Sequence, residues 1–395
     1  MQADLVIENV LLPGGTKGAV TVAAGLITSI GAENPPTVAA RFDARDALIV
    51  PGLVDGHVHL DKTLLGLPFI PHIPGDTVSK RIEAEKHLRR TIDVPVETRG
   101  CLLIEKLSAQ GTVALRSHVD VDTEIGLKGL EAELTLKERY RHLMDIQIVA
   151  FPQSGILRDP GTADLMDAAL EAGADLVGGL DPAGIDGDVS GHLDVVFDVA
   201  DKHGVGVDLH LHDGGALGAF ELRQIAERTL ALGLTGKVAV SHAFCLGELD
   251  DFDFGRTAAL LAKADIAIMT TAPGPVSMPP VKPLKAEGVR VFCGSDNIRD
   301  AWSPFGNGDL LERAAIVCDR QDYRLNEDLE LAFTLVTEAP SDVIGRNGGL
   351  TVGSPADFLL LPVQSIAEAV AERPARRTVF KRGVNVTPGN DRFTV

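Results

Sequence analysis

Between Leu48 and Lys62 an apolar run, Leu-Ile-Val-Pro-Gly-Leu-Val, leads through Asp55 into Gly56-His57-Val58-His59-Leu60-Asp61-Lys62. Histidines two apart on a strand project from the same face, so His57 and His59 can approach one cation together. Taken alone, such a pair is more often only the polar end of a strand. Five further polar segments decide the matter, each falling at the end of a predicted strand: Arg116-Ser-His118-Val-Asp120, Phe151-Pro-Gln153, Asp208-Leu-His210-Leu-His212-Asp213, Ser241-His242 and Gly294-Ser-Asp296-Asn297. These clusters hold most of the 11 histidines. A chance core histidine usually stands alone. His72, His87, His142 and His203 fall in predicted loops or helices, where a solvated role is the default.

Polar residues at successive strand ends need a scaffold that gathers those ends. From Pro51 to about Ile344 short apolar runs alternate with amphipathic stretches, as in Ile146-Gln-Ile-Val-Ala-Phe followed by Ala163-Asp-Leu-Met-Asp-Ala-Ala-Leu. Repeated strand-then-helix predicts a (β/α)₈ barrel, whose sites form at the carboxyl ends of its strands. The first 50 residues read instead as short strands, Leu5-Val-Ile-Glu-Asn-Val, Ala19-Val-Thr-Val and Leu26-Ile-Thr-Ser-Ile, and strand-like runs return after Gly345. We therefore expect a barrel over 51–345 beside a small β-sandwich built from 1–50 and 346–395.

Composition narrows the function. The chain has 395 residues, 45% hydrophobic and 24% charged, as in an ordinary globular protein. Its net charge of -19 argues against nucleic acid or an anionic membrane as partner, since both would repel it. Cys101, Cys245, Cys293 and Cys318 form no paired motif, which suits a reduced compartment. No signal-like or 18-residue apolar run occurs, so a cytoplasmic location is expected, with homo-oligomeric assembly.

The order of these motifs resembles the amidohydrolase superfamily, and within it the branch of cytosine deaminase and N-isopropylammelide amidohydrolase. The stretch Asp145-Ile-Gln-Ile-Val-Ala-Phe-Pro-Gln-Ser-Gly-Ile-Leu is especially similar, and the likeness runs on to Ala301-Trp-Ser-Pro-Phe-Gly. It implies one divalent ion, Zn²⁺ or Fe²⁺, held by His57, His59, His210 and Asp296. Such an ion would activate a water for attack on a ring carbon, with Asp296 also taking the water's proton. The resemblance further implies that His242 polarises the substrate or steadies the bound hydroxide and that Gln153 meets a ring amide edge; Lys62, Asn297 and, from its barrel-strand position, His118 are expected as further substrate contacts. Relatives with two metals use a strand-four lysine; Ala174-Asp-Leu-Val-Gly-Gly-Leu-Asp181 has none, so a single metal is expected.

The chain also departs from the cytosine deaminase pattern. That pattern has a proton-shuttling Glu three residues after the strand-five His, where this chain has Asp213, with His212 and His242 as the alternatives. The stretch Gly179-Leu-Asp-Pro-Ala-Gly lacks the aromatic and acidic character expected around the base. Lys62 and the strand-five His-x-His bring it nearer to the enzyme that removes an alkylamine from a triazine. Lys62 is open to pairing with Asp61 or Asp55, and Asp120 to orienting Arg116. The reading is a hydrolytic deaminase or amidohydrolase acting on a cytosine-like, triazine or cyclic-amidine ring and releasing ammonia or an amine. Its rivals are a ring-opening cyclic amidase and a catalytically silent binding protein on the same fold.

Overall fold

A computed structural model describes residues 3–32, 40–73 and 75–389. The N-terminal runs form β1 (Leu5–Leu11), β2 (Lys17–Ala23), β3 (Leu26–Ala32), β4 (Ala40–Asp43) and β5 (Leu48–Pro51). Eight strands then alternate with helices: β6 (Leu53–Val58), β7 (Thr112–Asp120), β8 (Asp145–Phe151), β9 (Leu176–Leu180), β10 (Gly206–Leu211), β11 (Val238–His242), β12 (Ala267–Thr270) and β13 (Arg290–Cys293). The chain ends in β14 (Phe358–Leu361), β15 (Thr378–Lys381) and β16 (Val384–Asn385).

Strands β6 to β13 pair in chain order, and every pairing among them is parallel. A parallel neighbour requires a crossover, which amphipathic helices supply. In the helix Thr162–Ala172, for example, Met166, Ala169 and Leu170 are buried at helical spacing. The ring closes without a full ladder between β13 and β6. Near the carboxyl ends Val58 bridges Asp296, with Asp296 N donating to His57 O over 2.7 Å. Lower down, Val54 N donates to Val336 O and Cys293 N to Leu335 O. Gly294 makes this approach possible, because a Cβ there would lie 2.5 Å from both His57 N and His57 O. Gly294→Ala is expected to cost about 1–3 kcal/mol through overpacking, read as a lower melting temperature. An unchanged melting temperature would show that the seam is slack.

The terminal segments share a second sheet, ordered β16-β15-β14-β5-β1-β2-β3 with β4 alongside β1. Leu359 lies opposite Val50, and a core of Ile7, Val20, Ile27, Phe358 and Phe380 fills beneath. The proposed division at 50/51 cuts one residue inside β5, whose Pro51 still pairs with Phe358, and that at 345/346 lies just past the helix Glu338–Val343. Positions 1, 2, 33–39 and 390–395 of the terminal unit lie outside the described residues. Buried Lys381 ties the units together, its Nζ 2.6 Å from Asp145 at the start of β8.

Candidate functional site

At the carboxyl end of the barrel, β6 and the turn after it bring His57 and His59 beside Asp296. The imidazole orientations follow from their outer partners. Ser241 Oγ donates to Asp208, so it accepts from Nδ1 of His57, 2.9 Å away. Asp208 is itself held by Arg116 at 2.6 Å. Nδ1 of His59 donates to the carbonyl of His118 over 2.7 Å. Both Nδ1 atoms thus carry the proton, which leaves each Nε2 as a lone pair.

Those lone pairs face Asp296 Oδ1, 3.2 Å from His59 Nε2 and 3.5 Å from His57 Nε2. Three acceptors at this range repel one another unless a cation lies between them. Ligands about 2.0–2.1 Å from a tetrahedral ion stand roughly 3.4 Å apart, the spacing seen. Buried His210 has a hydrogen bond at neither ring nitrogen, and its ring lies 4.5 Å from that of His57. Burial, then the charge of Lys62, lowers His59 to about 4, and burial with neighbouring imidazoles holds His210 and His242 well below the usual range. Neutral imidazoles are what a cation requires. The donor set fits a divalent metal.

Two groups of convergent donors, His57/His59/Asp296 and His57/His210/His242, share His57 and together contain all four expected ligands. A third, His57/His118/Asp208, also uses His57. Asp296 and His242 have left-handed backbones, φ 58° and 74°, as does Asp181 at φ 35°. Strain of about 1–3 kcal/mol at each of three strand ends persists only where surrounding structure enforces it, and it turns these side chains into the mouth.

The acidic partner at the end of β9 is Asp181, within the stretch that sequence reasoning reads as lacking acidic character. Its Oδ2 accepts from Nδ1 of His212 over 2.9 Å. His212 stacks on His242 with ring centres 4.4 Å apart and faces the cavity. Burial works against a charge on His212, but Asp181 outweighs it and raises the pKa. Asp213 is placed differently from the expectation. Its carboxylate accepts from Gly184 N at 2.8 Å and does not line the cavity. The period of two explains this: His210 and His212 share the inner face continuing from β10, and the next residue points away.

A cavity of about 1780 Å³ opens above the cluster, lined by His59, Lys62, Gln153, His242, Asn297 and Trp302 among others. Lys62 pairs with Asp120 at 3.0 Å and Glu85 at 3.4 Å, replacing the expected partners Asp61 and Asp55. Burial opposes its charge, but Asp120, Glu85 and Asp61 raise the pKa and keep it ionised. Asp120 therefore serves Lys62 and Arg89, while Arg116 goes to Asp208. His118 is also corrected: it lies fully buried one layer below the mouth, stacked 3.8 Å from the His57 ring, and meets no cavity surface. Sequence reasoning passes over His192, which is buried and bonded to Asp186 at 2.7 Å; its spacing on an amphipathic helix carries no signal of a site.

A closed ring of eight parallel strands with a histidine and aspartate cluster at its carboxyl mouth defines a barrel hydrolase of the metal-binding kind. The chain belongs to the amidohydrolase family, whose model matches residues 102–386, and it is a hydrolase of carbon–nitrogen bonds other than peptide bonds. It is similar to N-isopropylammelide isopropyl amidohydrolase of Pseudomonas sp. (strain ADP), 34% identical over 96% of each chain. Among solved structures, N-isopropylammelide isopropylaminohydrolase from Burkholderia multivorans superposes with a TM-score of 0.94, at 41% identity over 98% of each chain. The 5-methylcytosine deaminase from Klebsiella pneumoniae, liganded with phosphonocytosine, gives 0.84 at 28% identity, covering 96% of this chain and 97% of that one. No helix among the described residues is long and apolar enough to cross a membrane.

Proposed function

We propose that the chain removes an exocyclic amine from a triazine or pyrimidine-like ring by hydrolysis, with an N-alkylamino group on an oxo-triazine as its preferred leaving part. The observation that carries this is one shared surface: the acceptor cluster and the ring-recognition groups Lys62, Gln153 and Asn297 face the same cavity. A volume of about 1780 Å³ exceeds the roughly 300–1,000 Å³ usual for small ligands, which leaves room for an alkyl substituent. The relatives named for N-isopropylammelide support the same choice.

In this reading His57, His59, His210 and Asp296 hold one divalent ion, zinc or iron(II). When bound, the ion supplies Lewis acidity that makes a water nucleophilic near neutral pH and polarises the ring carbon. Asp296 takes the water's proton on its carboxylate. His242 steadies the polarised substrate. His212, with Nδ1 held by Asp181, gives a proton from Nε2 to the leaving nitrogen, which cannot depart as an amide anion. Lys62, Gln153 and Asn297 bind the ring's polar edges, and the setting is a cytoplasmic homo-oligomer acting on small heterocycles.

The test is product analysis on N-alkylamino dioxo-triazines, cytosine and pterin, with metal counted on the same sample. The expected outcome is release of an alkylamine with no new carboxylate, at one metal per chain. A ring-opened acid would overturn the reaction, and two stoichiometric metals would overturn the single centre.

A further inference from the structure

One carboxylate organises the substrate side of this cavity, and it lies in none of the segments that the sequence singles out. Glu85 sits in the helix Val78–Arg89, which buries only Ile82 and Glu85, three residues apart and so on one face. Its Oε2 accepts from Lys62 Nζ at 3.4 Å, from Gln153 Nε2 at 3.3 Å and from the indole Nε1 of Trp302. All three donors line the cavity, although they come from the turn after β6, the end of β8 and the loop after β13. Lys62 also lies over the rings of Phe151 and Trp302, at 5.3 and 5.6 Å.

We infer that Glu85 is the positioning residue for ring recognition, fixing Lys62, Gln153 and Trp302 in one arrangement; this rests on the proposed function. The consequence concerns the amide of Gln153. With Nε2 committed to a carboxylate oxygen, Gln153 offers its carbonyl to the substrate. The ammonium of Lys62 stands beside it as a donor. An acceptor next to a donor matches a ring –NH–C(=O)– edge, and the indole of Trp302 gives a flat wall for the same ring. Without Glu85 the amide is free to turn, and a ring edge of the opposite polarity is accepted as readily. Selection of an oxo-ring edge thus depends on a residue that does not touch the ring.

Cyanuric acid, the fully oxo triazine, is the probe: it presents this edge on every side and carries no amine to lose. Binding is read from the emission of Trp302, the chain's one tryptophan, and by calorimetry. Glu85→Gln is expected to weaken cyanuric acid about 10–100-fold, the range for loss of hydrogen bonds to a charged group. On an alkylamino dioxo-triazine it is expected to raise KM by a similar factor, with kcat within about threefold and bound metal unchanged. Wild-type affinity and KM in that variant overturn the inference, as does a fall confined to kcat. Should Glu85→Gln fail to fold, Glu85→Asp, whose carboxylate is drawn back by one methylene, must show the same split toward KM, and an unchanged KM there overturns it equally. Wild-type protein that binds cyanuric acid, with the expected loss in Glu85→Gln, but releases no amine sinks the proposed reaction alone. Wild-type protein that neither binds nor turns over sinks both.

Discussion

Replacing His59 with alanine is expected to strip the metal and the activity together. His59 Nε2 is 3.2 Å from Asp296 Oδ1, and its Nδ1 is pinned by the His118 carbonyl, so the ring is aimed before any ion arrives. On the proposed ligand set, removal would leave His57, His210 and Asp296 to hold the ion. Loss of a mere outer partner to a metal ligand costs about 10–100-fold in affinity, so loss of the ligand itself should exceed that. Activity follows occupancy and should fall to the order of 1% or less at limiting metal. Full metal content in the purified variant, measured by emission spectroscopy, would show that His59 is no ligand.

The second large effect belongs to His212. Changing it to Gln is expected to lower kcat by about 10²–10⁴-fold, the contribution of a positioned proton donor, while the metal stays bound. Asp181→Asn should act in the same direction, since it removes the carboxylate that accepts from Nδ1 at 2.9 Å and sets the tautomer. Asp213→Asn is expected to leave kcat within about threefold, because Asp213 is engaged with Gly184 N and faces away from the cavity. The comparison is decisive in one experiment. A collapse of kcat in Asp213→Asn, with His212→Gln near wild type, would return the shuttle to the position suggested by the cytosine deaminase pattern.

Much of the architecture was legible in the residues because it depends on short-range periodicity. Alternating strand and helix runs define the barrel, and the two-residue spacing of His57 and His59 carries both to Asp296 from β6 and the turn after it. The same period of two separates His210 and His212 from Asp213, a distinction that resemblance to the Glu-bearing pattern obscured. The depth of a side chain within the barrel is not written in that period. His118 and Asp120 share a face of β7, yet one is stacked beneath His57 and the other holds Lys62. Strand tilt and register decide which layer each occupies.

Partnerships across the ring depended wholly on the tertiary structure. Asp181 meets His212 from a neighbouring strand, Arg116 meets Asp208 across 92 residues, and Glu85 reaches Trp302 across 217. In a lone helix Glu85 looks like any solvated acid, and only the loops arriving from β6, β8 and β13 turn it inward. Residue types thus determined that an ion and a hydrolytic reaction belong here. The convergence of distant loops decided which carboxylates hold the groups that meet the substrate, because buried charges keep the partners that folding delivers and no others.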